Sequence, residues 1–320
     1  MKSLLWMCNA GNTGNDGKSR DTGIAGIIRN RGKCGNVGNT GIAGISTNLR
    51  AHYSSLTMQL PSGPVRSPQI IAVTNNKGGV GKTTTTLNVA AELAHRGYRT
   101  LLIDLDMQAN ATTGLFKRGA PGGRTVGMGL LKEAAAAELI VKTSLANLSL
   151  MPANIHLAKQ SEELYRQDGY EQRLKQLLAP VASEYDFVII DCPPMLGAMT
   201  YVALTAATAY LVPCEPEKYS FDGLRLVVNL AGGVQAQINP DLKMAGVFFT
   251  KYNPKKRSSL HHDIVDAAEH LYPEKVLPNI RADQSLAQAQ RVGEPTILYK
   301  PDCNGVADYA TLTTAILENL

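Results

Sequence analysis

The chain has 320 residues, 44% hydrophobic and 18% charged, an ordinary globular balance in which no apolar run approaches the roughly 20 residues needed to cross a bilayer. Cysteines at 8, 34, 192, 214 and 303 form no C-x-x-C pair and no zinc-spaced cluster, so free thiols in a cytoplasmic protein are expected. The formal net charge of +5 resides in residues 1–66, where eight Lys/Arg face Asp16 and Asp21; the other 254 residues hold 24 basic and 25 acidic groups, so overall basicity is no argument for nucleic-acid binding by the folded part.

Residues 1–66 differ from the rest. Glycine recurs every third residue at 11, 14, 17, 23, 26, 32, 35, 38, 41 and 44, lapsing at Arg20 and Arg29, and Thr-Gly-Ile-Ala-Gly-Ile occurs at 22–27 and again at 40–45. A collagen triple helix is disfavoured, because no proline precedes Pro61 and the arginines would crowd the axis. Leu4-Leu5-Trp6-Met7 is too short for the apolar region of a signal peptide. The segment lacks a hydrophobic period and is expected to be a disordered repeat tail, with Met58 as an alternative start.

From residue 67 strands and helices are expected to alternate. An apolar, β-branched run at 69–74 reads as a buried strand, then comes Asn76-Lys77-Gly78-Gly79-Val80-Gly81-Lys82-Thr83-Thr84, then apolar residues at helical spacing from Leu87. A second strand is expected over 98–106, a loop over 117–127, a third strand near 148–152 and a helical stretch over 155–181. Residues 187–191 read as a fourth strand stopped by Cys192-Pro193-Pro194. A helix (197–207), a strand (209–213), a helix (220–237), a strand (243–250), a helix (260–271), a short strand (275–278) and helices near 283–291 and 305–319 complete the series. The pattern predicts an α/β fold, a doubly wound, mainly parallel sheet with helices on both faces, its ligand at the carboxyl ends of the strands.

The strand, glycine-rich turn and helix opening at Lys82-Thr83 have the architecture of a phosphate-binding loop. Glycines let backbone N–H groups approach an anion, and the helix N-terminus adds a positive dipole end. Lys82 is expected at the β- and γ-phosphates, with Gly78, Gly79, Val80, Gly81, Thr83 and Thr84 completing the cradle. Asp191, ending an apolar strand, is expected to hold Mg²⁺ with the Thr83 hydroxyl. Asp104 and Asp106 lie two apart, so on a continuing strand both side chains leave one side. Asp104 joins Thr83 and Asp191 as a candidate metal ligand.

Lys-Gly-Gly-Val-Gly-Lys-Thr, with Asn76 in place of the first glycine of the strict pattern, resembles the deviant Walker A motif of the ParA/MinD ATPases. Asp-Cys-Pro-Pro at 191–194 is similar to the family's switch, and Asp-Leu-Asp-Met-Gln-Ala-Asn-Ala-Thr at 104–112 to its catalytic segment, with Met107 replacing a proline. The resemblance spans about 67–320. It implies that Lys77 reaches across an ATP-sandwich dimer to the partner's nucleotide, that Asp106 positions the attacking water, and that Asn279 lies near the adenine pocket. Asn76, the Gln-x-Asn-Ala-Thr segment and a last helix without Lys or Arg point to the ParA branch rather than to membrane-anchored MinD. That branch implies an Mg-ATP-hydrolysing DNA-partition protein: an ATP-dependent homodimer, bound to non-specific DNA at the nucleoid, stimulated by a centromere-binding ParB-like partner, with no membrane contact. Lys255, Lys256 and Arg257 correspond to a DNA-contacting loop; a second family arginine falls at Gly232, with Arg225 and Lys218 as substitutes. Alternatives in the same fold are a MinD-like or cargo-positioning ATPase, a reductase like the nitrogenase iron protein, and a nucleotide-dependent binding protein.

Overall fold

The computed structural model describes residues 68–217, 220–253 and 259–320. The expected tail over 1–66, Met58, Lys218, Lys255, Lys256 and Arg257 lie outside the described residues.

In chain order the elements are β1 (Gln69–Val73), α1 (Lys82–His95), β2 (Thr100–Asp104), α2 (Asn110–Leu115), α3 (Val126–Leu130), α4 (Ala136–Leu139), β3 (Val141–Lys142) and β4 (Leu148–Met151). Then follow α5 (Leu157–Tyr165), α6 (Arg173–Leu178), β5 (Phe187–Asp191), α7 (Ala198–Ala206), β6 (Ala209–Cys214), α8 (Ser220–Gln237) and β7 (Lys243–Phe249). Helices α9 (Ser259–Leu271), α10 (Gln284–Val292), α11 (Thr296–Tyr299) and α12 (Asn304–Asn319) close the chain.

The strands form a seven-stranded sheet in the order β3-β4-β2-β5-β1-β6-β7, parallel except where β3 pairs antiparallel with β4. Every residue of β2 and β5 is buried, as expected of strands covered on both faces. Alternation along the strands divides the core in two. Ala72, Leu101, Ile103, Val188, Ile190 and Val212 pack with residues of α3, α5, α6, α7, α8 and α9. Ile71, Val73, Leu102, Ile189, Leu211 and Phe248 pack with α1, α2, α10 and α12. The expected doubly wound architecture is the one observed.

Connection order sets the place of the site. The chain runs outward from β1 to β2 and β4, returns to lay β5 between β2 and β1, and then crosses to β6 on the other side of β1. In such a reversal the crevice opens at the carboxyl ends of the central strands. Register pairs Val73 and Asp104 each with Asp191, so three strand ends finish level.

Several local expectations are corrected. The second strand stops at Asp104 rather than 106, because the Asp106 N–H turns back to donate to Asp104 Oδ1 at 3.1 Å. The stretch 155–181 is two helices, broken at Gly169, whose φ of +68 lies in the left-handed region. Residues 275–278 make no ladder; only the isolated parallel bridge Val247↔Val276 forms there. The two-residue β3 was too short to leave a periodic signal.

Candidate functional site

The loop between β1 and α1 is held from below by Asn75. Its Nδ2 donates to the Pro213 carbonyl at 2.8 Å, and its Oδ1 accepts from the Lys77 N–H at 3.0 Å, so the end of β6 and the start of the loop share one side chain. Gly79 and Gly81 have φ of +77 and +87, which L residues avoid, and this lets the loop turn back on itself. A Cβ at Gly81 would sit 3.2 Å from Thr250 Cγ2. Helix α1 starts at Lys82 with no side-chain cap, so its first-turn N–H groups keep no side-chain partner. The start of α8 closes on the loop through Gly223, where a Cβ would meet Asn76 Oδ1 at 2.7 Å.

Lys82 is 7% exposed, and its Nζ donates to the Lys77 carbonyl at 2.9 Å. Burial holds its ammonium below the ordinary range, opposed chiefly by the nearby carboxyl of Asp191. Thr83 and Thr84 are half-buried on the first turn, and Thr84 Oγ1 lies 3.5 Å from Gln290 Oε1.

The three aspartates do different things. Asp191 is fully buried; Oδ1 accepts from Thr86 Oγ1 at 3.1 Å, while Oδ2 is buried with no hydrogen-bond partner among the described residues. Burial, then the neighbouring Asp104, pushes its carboxyl above the usual carboxylate range, against the Thr83 and Thr86 hydroxyls. An orphaned carboxylate oxygen beside a threonine hydroxyl is the donor set a hard divalent cation or its water would complete. Asp104, also fully buried, is committed elsewhere: Oδ1 accepts from the Asp106 N–H at 3.1 Å, and Oδ2 from the Thr112 N–H and Oγ1, both at 2.8 Å. Burial raises its carboxyl above the usual range, opposed by these bonds. Asp106 follows the strand, 7% exposed, with Oδ1 accepting from the Gln108 N–H at 2.9 Å.

The Lys77 side chain is paired with two glutamates. Its Nζ is 2.5 Å from Glu217 Oε2 and 3.8 Å from Glu215 Oε2, and the Glu217 bond is the main cause of its raised ammonium. Ser220 Oγ pins the glutamate-bearing turn, donating to the carbonyls of Glu215 and Glu217. Asn279 follows the last segment beside β7, where its Oδ1 accepts from the Phe249 N–H at 2.9 Å. Arg225 is exposed on α8, the helix that also carries Gly232. The roles of Asn75, Thr86, Thr112, Glu217, Gly223, Thr250 and Lys251 escaped the sequence reading. All but Thr112 act through a bond or close approach to a residue distant in the chain, which no local pattern marks; Thr112 lies eight residues from Asp104, but sequence does not say which group its hydroxyl and N–H meet.

A protein-family profile described as an AAA domain matches residues 68–244. The chain is 38% identical to the chromosome partitioning protein ParA of Myxococcus xanthus over 251 residues, 78% of this chain and 88% of that one. It is equally identical to the sporulation initiation inhibitor protein Soj of Bacillus subtilis over 252 residues, 78% of this chain and 99% of the other. The chain belongs to the ParA/Soj family of partition ATPases. Among solved structures, a ParA/Soj-like fold recurs in a Mycobacterium smegmatis protein described as cobyrinic acid a,c-diamide synthase with bound ATP analogue and magnesium. That chain matches with a TM-score of 0.67 and 33% identity, over 78% of this chain and 95% of its own. As a ParA/Soj member the protein has, among its described residues, no helix long and apolar enough to cross a membrane.

Proposed function

We propose that the site binds Mg-ATP and hydrolyses it, and that residues 67–320 are the ATPase domain of a DNA-partition protein. The observation that carries the reading is the buried, unpartnered Asp191 Oδ2 behind a glycine loop that carries Lys82. In this reading the loop from Gly78 to Thr84 cradles the phosphates, Lys82 meets the β- and γ-oxygens, and Asn279 lines the base end. Thr83 and Asp191 would hold Mg²⁺, which when bound neutralises charge developing on the phosphates. Asp104 is assigned a different part from the one its position suggested. With its oxygens bonded to Asp106 and Thr112, it fixes the turn that presents Asp106, and Asp106 orients the attacking water.

Lys77 leaves Glu217 and reaches the nucleotide of a second copy, so that ATP joins the dimer. The dimer binds DNA without sequence preference through Lys255, Lys256 and Arg257, at the nucleoid, and a ParB-like protein stimulates turnover. Membership of the ParA/Soj family supports this assignment over a reductase or a cargo-positioning protein. Calorimetry with Mg-ATP tests the site: the wild type should bind, and Lys82→Ala should not, having lost the cation that meets the phosphates. Wild-type affinity in that variant would sink the assignment. Light scattering with and without ATP, followed by a salt-dependent DNA titration, tests the dimer and its partner.

A further inference from the structure

Two consecutive residues at the end of β7 grip the phosphate loop. Thr250, 4% exposed, donates from Oγ1 to the Val80 carbonyl at 2.9 Å. Lys251 donates from Nζ to the Gly79 carbonyl, also at 2.9 Å. These contacts span 170 and 172 residues of chain. All peptides among the described residues are trans, so the carbonyl and the following N–H of one peptide point in opposite directions. Drawing the Gly79 and Val80 oxygens toward the end of β7 therefore turns the Val80 and Gly81 N–H groups away from it. Successive N–H groups turned the same way form an anion-binding concavity.

Lys251 holds its position against a backbone preference. Its φ is +53, in the left-handed region where a residue with a Cβ is disfavoured and glycine is at ease. An outlier of this kind points to function when the side chain makes contacts that glycine could not. Here the ammonium contacts the loop carbonyl and also pairs with Glu215 Oε1, while the other oxygen of Glu215 lies 3.8 Å from Lys77 Nζ. Packing does not explain the choice, since the side chain is 60% exposed and an exposed ion pair adds little stability.

We propose that Lys251 is a positioning residue for nucleotide binding: with Glu215 as its counter-charge, its ammonium fixes the Gly79 peptide so that the Val80 N–H faces the phosphates. The proposal rests on the nucleotide reading above. It acts on the preformed cradle, so it serves ATP and ADP alike and affects binding more than the chemical step.

Lys251→Gly separates this role from a structural one, because glycine relieves the backbone and removes the ammonium together. The melting temperature should hold or rise, while calorimetric affinities for Mg-ATP and Mg-ADP should both fall roughly tenfold, the scale of one charge-assisted hydrogen bond. KM should rise by a similar factor, with turnover at saturating nucleotide changing less. Lys251→Arg, which keeps a cationic donor, should recover most of the affinity. Lys251→Met, which keeps the stem without the charge, should match Lys251→Gly in affinity and serves as the second variant if glycine impairs folding. Unchanged affinity in both neutral variants overturns the proposal. Loss for ATP with ADP spared would mean a direct γ-phosphate contact and also overturns it, as would a loss of affinity that only tracks a lowered melting temperature. Wild type and Lys82→Ala are measured alongside. A wild type that does not bind Mg-ATP refutes the nucleotide reading itself, whereas binding that Lys82→Ala loses and Lys251→Gly keeps refutes only the role of Lys251.

Discussion

Two carboxylates two residues apart have divided their tasks. Asp104 is fully buried and spends its oxygens on the Asp106 N–H and on Thr112, whereas Asp106 stands past the strand end with one oxygen on the Gln108 N–H. The division yields opposite expectations for the two variants. Asp106→Ala should still bind Mg-ATP, because the lost group is not part of the cradle, but turnover should drop at least about a hundredfold, the usual scale for losing a group that manages the proton or the water. A phosphate-release assay beside calorimetry checks this; normal turnover would mean another residue orients the water. Asp104→Ala should instead lower stability by roughly 2–4 kcal/mol, since it strands three donors, two of them backbone N–H groups, in a buried turn. Urea unfolding measures that loss, and full stability with lost magnesium binding would return Asp104 to the metal.

At the level of elements, close approach and capping decide where helices lie. Gly223 lets α8 approach the loop, and Gly223→Ala would place a methyl 2.7 Å from Asn76 Oδ1. Asn76 has to move, so Mg-ATP affinity should weaken, with a stability cost of about 1–3 kcal/mol for overpacking; calorimetry and a thermal melt report the two effects. Asp283 joins two other helices. Its Oδ1 accepts from the Ser285 N–H at 2.8 Å as the N-cap of α10, and its Oδ2 from the Gly305 N–H of α12 at 2.9 Å. Burial works to raise this carboxyl, but the bonds from Ser285 and Gly305 prevail and hold it below the usual range. A carboxyl depressed in the folded state stabilises above its unfolded value, near 3.9, and the contribution fades as pH falls through the lower folded value. Asp283→Ala should therefore cost about 1–2 kcal/mol at neutral pH, and the gap to wild type should narrow only in strong acid. Urea melts at a series of pH values test the trend; a gap that widens on acidification would show the carboxyl acts otherwise.

For the molecule as a whole, the expectation concerns charge and dispensability. Outside residues 1–66 the chain is nearly neutral, so DNA binding has to come from a local cluster, and each phosphate met contributes roughly −0.9 to the slope of log K against log salt. A single subunit using Lys255, Lys256 and Arg257 would reach a slope of about −3, and two copies on one duplex about twice that. Replacing all three with alanine should flatten the slope and weaken every DNA sequence equally, with hydrolysis intact. Unchanged affinity in that variant moves the surface to Lys218 and Arg225. A chain beginning at Met58 should match full length in hydrolysis and melting temperature, and a loss of several degrees would show that the preceding residues pack on the domain.

The sequence alone determined the alternation of elements and the phosphate loop, because both are written in short-range chemistry. Phe187-Val188-Ile189-Ile190 is apolar throughout because the strand is covered on both faces, and Gly79 and Gly81 occur where φ must be positive. Lys82 and Thr83 were legible for the same reason, standing where a strand and a glycine turn hand over to a helix. Which carboxylate is free and which is consumed was not legible. One oxygen of Asp191 is taken by Thr86 across 105 residues, and the bond from Lys251 to Gly79 crosses 172. Such pairings depend on strand order and on how closely helices dock, and no window of sequence contains both partners. Asp191 is therefore recognisable from its strand, but its one unpartnered oxygen exists only once β1, β2 and β5 end side by side and exclude water from it.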